Sequence, residues 1–399
     1  MPIMNFGRDQ LAAIEKATNW YNTAELFRKP IFVIGGYAGT GKSTVLRQVL
    51  INMGIPLYKI AYVTYTGKAA VVLRQKGLPA YTIHRLIYNV STSSTTGKPL
   101  FRKKPRLPSN IELICIDELG MVPQPILEDI ISYGIPILGL GDPGQLPPVF
   151  GENAYISNPD TFLTEVFRQS GDSDLLTLAT DIRNGIDVYN KKYASDVSIF
   201  GPGNSFDYNR MVEFDQILCS RNANKMMINV NYRDMLKINT PLPIAGEKVI
   251  CGMNNFGESY SYGDVDVCLV NGLTGITTTD AIEVDNNVVY FKFQPDKMNM
   301  QIPVYAKKQT FLDNYEDFSD KSYVEDGQQQ FHMEFYDGKP VNVFDYAYAI
   351  TTHKSQGSEW DNVLVFDDCF YHDAKNYGRW LYTSVTRAKK KVTIVKMDA

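Results

Sequence analysis

Gly36-Tyr-Ala-Gly-Thr-Gly-Lys-Ser43 narrows what this chain can fold into more than any other feature. It fits G-x-x-x-x-G-K-[ST] at every fixed position. It stands between a short apolar run, Ile31-Phe-Val-Ile-Gly35, and a helical pattern from Lys42 to Met53. In that context successive backbone N–H groups turn inward and the helix dipole adds positive potential, so the loop cradles phosphates. The bland alternative is a glycine turn with an exposed lysine, and the strand before and helix after it count against that. Gly36, Gly39, Thr40, Gly41, Lys42, Ser43 and Thr44 form the expected nucleotide-binding set. Lys42 reaches the β- and γ-phosphates and Ser43 ligates Mg²⁺.

Such a loop needs a second anchor for the metal, usually an acid at the end of a neighbouring strand. Ile114-Cys-Ile-Asp-Glu118 supplies one. Asp117 is expected to hold the metal's water shell and Glu118 to polarise the attacking water. An Asp-Glu pair alone is most often solvated surface. At the end of an apolar strand, in a chain that carries the loop, the functional reading is the better one. ATP and Mg²⁺ are the implied cofactors.

The order strand, loop, helix recurs. Ile60–Thr64 precedes a helical stretch from Lys68 to Gln75, Glu112–Ile116 precedes one from Gln124 to Tyr133, and Pro136–Leu140 closes the series. A helical pattern from about Gln10 to Phe27 comes before it. The same grammar returns with Asp215–Cys219 and a helix near Asn222 to Met235, then with Asn362–Phe366 and Lys391–Val395 around a helical segment. Continuous apolar strands bounded by helices read as buried parallel sheets. Two regions break the rhythm. Residues 88–110 hold a Ser/Thr run and three prolines, which suggests a small hairpin. Residues 247–345 are strand-like, with turn signals at Asn271-Gly272, Asn286-Asn287 and Asp337-Gly338.

At 399 residues the chain exceeds one ordinary core, so two or three domains are expected. With 44% hydrophobic and 21% charged residues it fits a soluble globular class. No run approaches the roughly 18 apolar residues of a membrane span, and the first ten residues lack the regions of a signal peptide. Cys115, Cys219, Cys251, Cys268 and Cys369 are scattered, which speaks against zinc or a disulfide framework and for a reducing, cytoplasmic setting. The net charge of −4 excludes a global basic field, though a local groove can still hold nucleic acid. The richest basic stretch, Lys98 to Arg106, has five cations and no acid. Its opposite, Asp313 to Asp326, belongs away from any phosphate backbone.

Further segments follow in a set order. They are Tyr65-Thr-Gly-Lys-Ala-Ala70, Thr82-Ile-His84, Gly139-Leu-Gly-Asp-Pro-Gly-Gln-Leu-Pro-Pro148, Leu163-Thr-Glu-Val-Phe-Arg168, Thr352-His-Lys-Ser-Gln-Gly357 and Leu381-Tyr-Thr-Ser-Val-Thr-Arg387. Together with the loop and the carboxylate pair, this series resembles the superfamily 1B DNA helicases, most nearly the phage Dda-type and RecD-type enzymes. The resemblance covers nearly the whole chain. It implies an α/β fold of two RecA-like parallel-sheet domains, with a small β-hairpin pin inserted in the first and an SH3-like β-rich insertion in the second. The first domain is then 1–87 with 111–170, the pin 88–110, the second domain 171–246 with 346–399, and its insertion 247–345.

The resemblance also implies roles. Asp142 and Gln145 sense the γ-phosphate, Arg168 and Arg387 reach it, Gln10 reads adenine, and Gly357 lies at the nucleotide. Thr66, Lys68, His84 and His353 face DNA, and Phe101 is the wedge of the pin. An ATP held between two sheet domains draws cations onto its γ-phosphate and releases them on hydrolysis. The activity implied is ATP-dependent 5′ to 3′ translocation on single-stranded DNA with duplex unwinding. The partners implied are single-stranded DNA and its junction with duplex, with replication or recombination proteins besides. Action as a monomer follows, as does a bacterial host's cytoplasm if the chain is phage-encoded.

Tyr65 stands where relatives often carry proline, and Val270-Asn-Gly272 matches the insertion's turn but is also a common hairpin. Phe101 could equally be a hairpin aromatic packed on its own domain. A lone histidine is more often structural than functional. The residues fit RNA as well as DNA as the track. An ATP-switched clamp or loader that grips without travelling is the alternative function, and a different P-loop enzyme such as a kinase is a third.

Overall fold

The computed structural model describes residues 6–23, 25–75, 77–92, 99–147, 153–165, 174–262, 265–315, 334–369 and 373–397. Arg168, residues 93–98 of the expected pin and the acidic run from 316 onward lie outside the described residues. The chain divides into two units: Met1–Ser91 with Leu100–Ser173, and Thr92–Pro99 with Asp174–Ala399.

In the first unit a six-stranded sheet has the order Tyr81–Thr82, Ile60–Thr64, Leu113–Asp117, Ile137–Gly141, Ile31–Gly36, Thr161–Leu163. Every pairing in it is parallel. The uninterrupted apolar runs are explained by burial on both faces. Along Ile31–Gly36, Phe32 and Ile34 enter one core with Trp20, Leu46 and Leu50, while Ile31 and Val33 enter the other with Ile83, Leu119 and Leu127. Leu113–Asp117 and Ile137–Gly141 run one residue later than their apolar patterns, while Ile60–Thr64 coincides with its own. The first helical pattern is two helices, Arg8–Asn22 and Glu25–Arg28, because Thr23 between them is extended. A two-stranded hairpin, Tyr88–Thr92 with Pro99–Lys103, stands apart from the sheet.

In the second unit five parallel strands run in the order Ala349–Thr351, Gln216–Cys219, Trp360–Asp367, Ala388–Lys396, Val197–Phe200. Between Lys248 and Tyr346 lies an eight-stranded, largely antiparallel sheet, with Val288–Pro295 and Ile302–Lys307 as its longest pair. Asp337 (φ 47°) and Gly338 (φ 70°) join Glu334–Tyr336 to Lys339–Asn342 with both central residues left-handed, as a type I′ turn requires. The turn at Asn286-Asn287 closes differently. The register shifts between Glu283 and Asp285, and Asp285 Oδ1 accepts the Asn286 N–H at 2.6 Å. Among the described residues no helix is long and apolar enough to cross a membrane.

Candidate functional site

Three neighbouring strands of the first sheet end in the polar residues singled out above. Leu113–Asp117 lies beside Ile137–Gly141, which lies beside Ile31–Gly36, all parallel. Asp117, Asp142 and the loop from Gly36 therefore leave the sheet at one carboxyl edge. Two strand spacings, about 10 Å, separate the outer strands. Ligands of open parallel sheets bind at such an edge.

The loop's shape follows from its glycines. Gly39 (φ 82°) and Gly41 (φ 78°) are left-handed, and a Cβ on Gly36 would meet Thr40 Oγ1 at 2.8 Å. Thr40 is fully buried and donates to the Tyr37 carbonyl at 2.8 Å. Lys42 Nζ donates to the carbonyls of Gly36 (2.8 Å) and Tyr37 (3.0 Å), which holds the ammonium within the loop. Ser43 and Thr44 stand in the first turn of helix Lys42–Met53. That helix starts on Gly41, which has no side chain to cap the free amides, so the positive end of the helix is open to the loop. Gln10 is buried in the first turn of Arg8–Asn22, and its Nε2 donates to the Thr40 carbonyl at 3.0 Å.

Asp117 Oδ1 accepts the N–H of Glu118 at 3.0 Å, and Glu118 itself is left-handed (φ 54°) at the start of the turn Leu119–Met121. Asp142 is buried. Its carboxylate accepts the Gly144 N–H at 2.9 Å and Gln145 Nε2 at 3.4 Å, which sets the Gln145 side chain against it.

Farther along the same edge come the segments after Ile60–Thr64 and Tyr81–Thr82. Thr66 Oγ1 accepts the Ala69 N–H at 3.3 Å and starts helix Gly67–Gln75, with Lys68 buried in its first turn. His84 sits on the short helix Ile83–Ile87, and burial holds its imidazole below the ordinary value, so it is neutral at neutral pH. Its ring centroid lies 5.6 Å from Tyr65, 5.8 Å from Tyr88 and 5.5 Å from Phe101. Phe101 leans on this cluster yet is 48% exposed. The base of its hairpin is fastened by Asp129, which accepts from Tyr88 Oη at 2.5 Å and pairs with Lys103 Nζ at 2.7 Å.

In the second unit, Thr352 Oγ1 is 2.8 Å from Ser384 Oγ, which joins helix Thr352–Ser355 to helix Ala374–Val385. Arg387 is buried. It donates to Thr383 O (3.1 Å), Ser358 O (3.2 Å) and Thr386 Oγ1 (3.2 Å), all neutral oxygens. Gly357 is left-handed (φ 75°) and leads directly into Ser358. His353 is half-buried on the same short helix.

Residues 8–196 match the AAA domain family, and residues 346–395 match the UvrD-like helicase C-terminal domain. An ATP-dependent RecD2 DNA helicase of Deinococcus radiodurans is 23% identical over 90% of this chain and 46% of its own length. An uncharacterised protein of Methanocaldococcus jannaschii is 23% identical over 96% of this chain and 38% of its own length. The chain thus spans less than half the length of these curated relatives. The Pif1 helicase from Bacteroides, solved with ADP-AlF3 and single-stranded DNA, superposes with a TM-score of 0.56 at 18% identity. That match covers 99% of this chain and 93% of that one. The Pif1 helicase from Candida albicans gives a TM-score of 0.51 at 15% identity, covering 99% and 95%.

The chain thus pairs an AAA-domain match with a UvrD-like helicase C-terminal match, in keeping with its resemblance to helicase superfamily 1.

The first unit gathers Gln10, the loop residues Gly36 to Thr44, Asp117, Glu118 and Gln145 on one sheet edge, with Thr66, Lys68, His84 and Phe101 farther along it. The second gathers His353, Gly357 and Arg387. Sequence reasoning passed over Ser220, Arg221 and Thr351, at the carboxyl ends of Gln216–Cys219 and Ala349–Thr351. Ser220 Oγ, Arg221 Nε and Thr351 Oγ1 are buried with no hydrogen-bond partner among the described residues. The signal available was position alone: polar residues at, or directly after, the carboxyl end of an apolar parallel strand.

Proposed function

We propose that this chain is an ATP-driven DNA helicase that travels 5′ to 3′ on single-stranded DNA and opens duplex ahead of it. The observation that carries the reading is the single carboxyl edge holding the glycine loop, the Asp117-Glu118 pair and the Asp142–Gln145 segment on adjacent strands. The open amides and Lys42 suit a triphosphate. The Ser43 hydroxyl and Asp117 carboxylate are hard oxygen donors of the kind Mg²⁺ takes. When bound, the metal would neutralise charge developing on the phosphates. Glu118 is the residue to orient and deprotonate the attacking water, and Gln145, against Asp142, is the one to register the γ-phosphate.

Arg387 has no carboxylate among its described hydrogen bonds, so its charge is available to an anion, and we assign it to the γ-phosphate. Arg168 is proposed for the same anion on the strength of the motif alone. Thr66, Lys68, His84 and His353, with Ser220, Arg221 and Thr351, are proposed to line the strand, and the unpartnered polar atoms of the last three suit phosphate oxygens. The relatives support the direction of the proposal: RecD2 is named an ATP-dependent DNA helicase, and the Bacteroides Pif1 was solved on single-stranded DNA.

The test is ATP hydrolysis with and without single-stranded DNA, followed by unwinding of duplexes with a 5′ or a 3′ tail. Strong stimulation by DNA, loss of hydrolysis in Lys42→Ala, and unwinding of the 5′-tailed substrate are expected. Hydrolysis indifferent to DNA would overturn the motor reading. Stimulated hydrolysis without ejection of streptavidin from end-biotinylated DNA would leave a clamp.

A further inference from the structure

Glu118 follows the buried strand Leu113–Asp117 in a left-handed conformation (φ 54°). A non-glycine residue keeps such a backbone only where its surroundings over-determine it. The turn that begins there is short: Glu118 O accepts the Met121 N–H at 2.9 Å, and Leu119 O accepts the Val122 N–H at 3.0 Å. One side chain from farther along the chain grips both ends of that turn. Asn153 Nδ2 donates to Leu119 O at 2.7 Å and to Val122 O at 3.0 Å, and the residue is 3% exposed. Its Oδ1 accepts the Tyr155 N–H at 3.1 Å, capping the short helix Ala154–Ser157. That helix is packed on strand Ile137–Gly141, since a Cβ on Gly141 would meet Ile156 Cδ1 at 2.5 Å. On the same strand a Cβ on Gly139 would come within 2.7 Å of Leu119 Cδ2, and Leu119 is fully buried. The turn that carries Glu118 is thus held by close packing on two glycines' strand and by the carboxamide of Asn153.

We infer that Asn153 is a positioning residue for the hydrolytic step: its carboxamide sets where the Glu118 carboxylate points, so it acts through Glu118 rather than on the nucleotide. A buried carbonyl that loses its donor must shift to find another or stay unsatisfied. Without the amide, Leu119 O and Val122 O are released together, and Glu118 is the residue next to the first of them. Misplacing a reacting group by about 1 Å costs on the order of 100-fold in rate. The glycine loop is held separately, by Gln10 Nε2 on the Thr40 carbonyl and by Lys42 on the carbonyls of Gly36 and Tyr37. Hydrolysis and nucleotide binding should therefore respond differently to a change at Asn153. The inference rests on the proposal that Glu118 activates the attacking water, and adds the residue that aims it.

The decisive variant is Asn153→Ser, whose hydroxyl can still cap Ala154–Ser157 but has a single hydrogen to donate where the amide gives two. ATP hydrolysis at saturating single-stranded DNA is compared in the wild type, Asn153→Ser, Glu118→Gln and the double variant. Asn153→Ser is expected to lower kcat by about tenfold to a hundredfold. Its Kd for adenylyl imidodiphosphate, a non-hydrolysable ATP analogue, should stay at the wild-type value. In the Glu118→Gln background the same substitution should lower kcat no further, because the carboxylate it aims is gone. Gly139→Ala presses on Leu119 from the strand while Asn153 stays in place, and should separate kcat from Kd in the same way. It decides the matter, in either direction, if Asn153→Ser does not fold. An unchanged kcat in a folded Asn153→Ser chain would overturn the inference. So would an equal further loss in the Glu118→Gln background, or a Kd weakened in step with kcat, since either marks a general loss of structure. Full hydrolysis by Glu118→Gln would instead sink the water-activating role beneath it.

Discussion

Glu118 holds a left-handed backbone (φ 54°, ψ 45°) at the point where a buried strand turns away from the sheet. Such a conformation costs a non-glycine residue about 1–3 kcal/mol, and the Asp117 side chain, which accepts the Glu118 N–H, helps hold it. Nothing in the sequence foretold this strain, because a left-handed glutamate is spelled like any other. Phe101 is a similar case. Sequence allowed either a wedge or a packed hairpin aromatic, and the fold makes it partly both, edge-on to Tyr88 and against His84 while half its surface stays open. Phe101→Ala should therefore leave DNA-stimulated hydrolysis largely intact and lower unwinding, since stacking on a base is worth about 1–3 kcal/mol. Parallel measurement of the two activities checks this, and loss of both together would assign the ring to the fold alone.

At the level of elements, helix Asn222–Met235 shows what periodicity conceals. Lys225, Asn229 and Arg233 recur every fourth residue and look like a solvated stripe, yet all three are buried. Lys225 pairs with Asp345 at 2.5 Å, Asn229 exchanges hydrogen bonds with the backbone of Ala349, and Arg233 grips Glu247 at 2.6 and 3.0 Å with the Tyr346 ring 4.3 Å away. Burial pushes the Asp345 carboxyl up, but Lys225 and Asn314 outweigh it and hold it below the usual range. The helix thus fastens the segment Asp345–Ala349, through which the antiparallel sheet passes into the second parallel sheet. Arg233→Met leaves Glu247 charged and unpaired in the interior, and should lower stability by roughly 3–5 kcal/mol in urea unfolding. Adding Glu247→Gln removes the charge, keeps one acceptor oxygen for the Ile244 N–H, and turns an amide N–H toward the Tyr348 hydroxyl oxygen, so the double variant should recover part of the loss. Equal stability of single variant and wild type would show that the pair is not closed in solution.

For the molecule as a whole, the net charge of −4 means that any hold on DNA comes from local cations against a weakly repelling background. With on the order of four phosphate contacts, the logarithm of the affinity should fall against the logarithm of salt with a slope of about −3, whatever the base sequence. Anisotropy titrations of homopolymer and mixed single strands across a salt series check this. A flat response would remove the backbone-gripping part of the proposal.

The glycine loop, the carboxylate after its apolar strand, the parallel class of both sheets and most helices were legible in the sequence. Those features are local: a fixed spacing, a run of buried residues, a period. The short strands Tyr81–Thr82, Thr161–Leu163, Val197–Phe200 and Ala349–Thr351 were not, since two to four residues carry no pattern. Nor could spacing tell that the Gln10 amide would meet Gly7 and Thr40, or that a stripe of lysine, asparagine and arginine would be sealed inside. A sequence states which groups can ionise or donate. Which partner each one finds depends on residues far along the chain, and only the tertiary structure decides that.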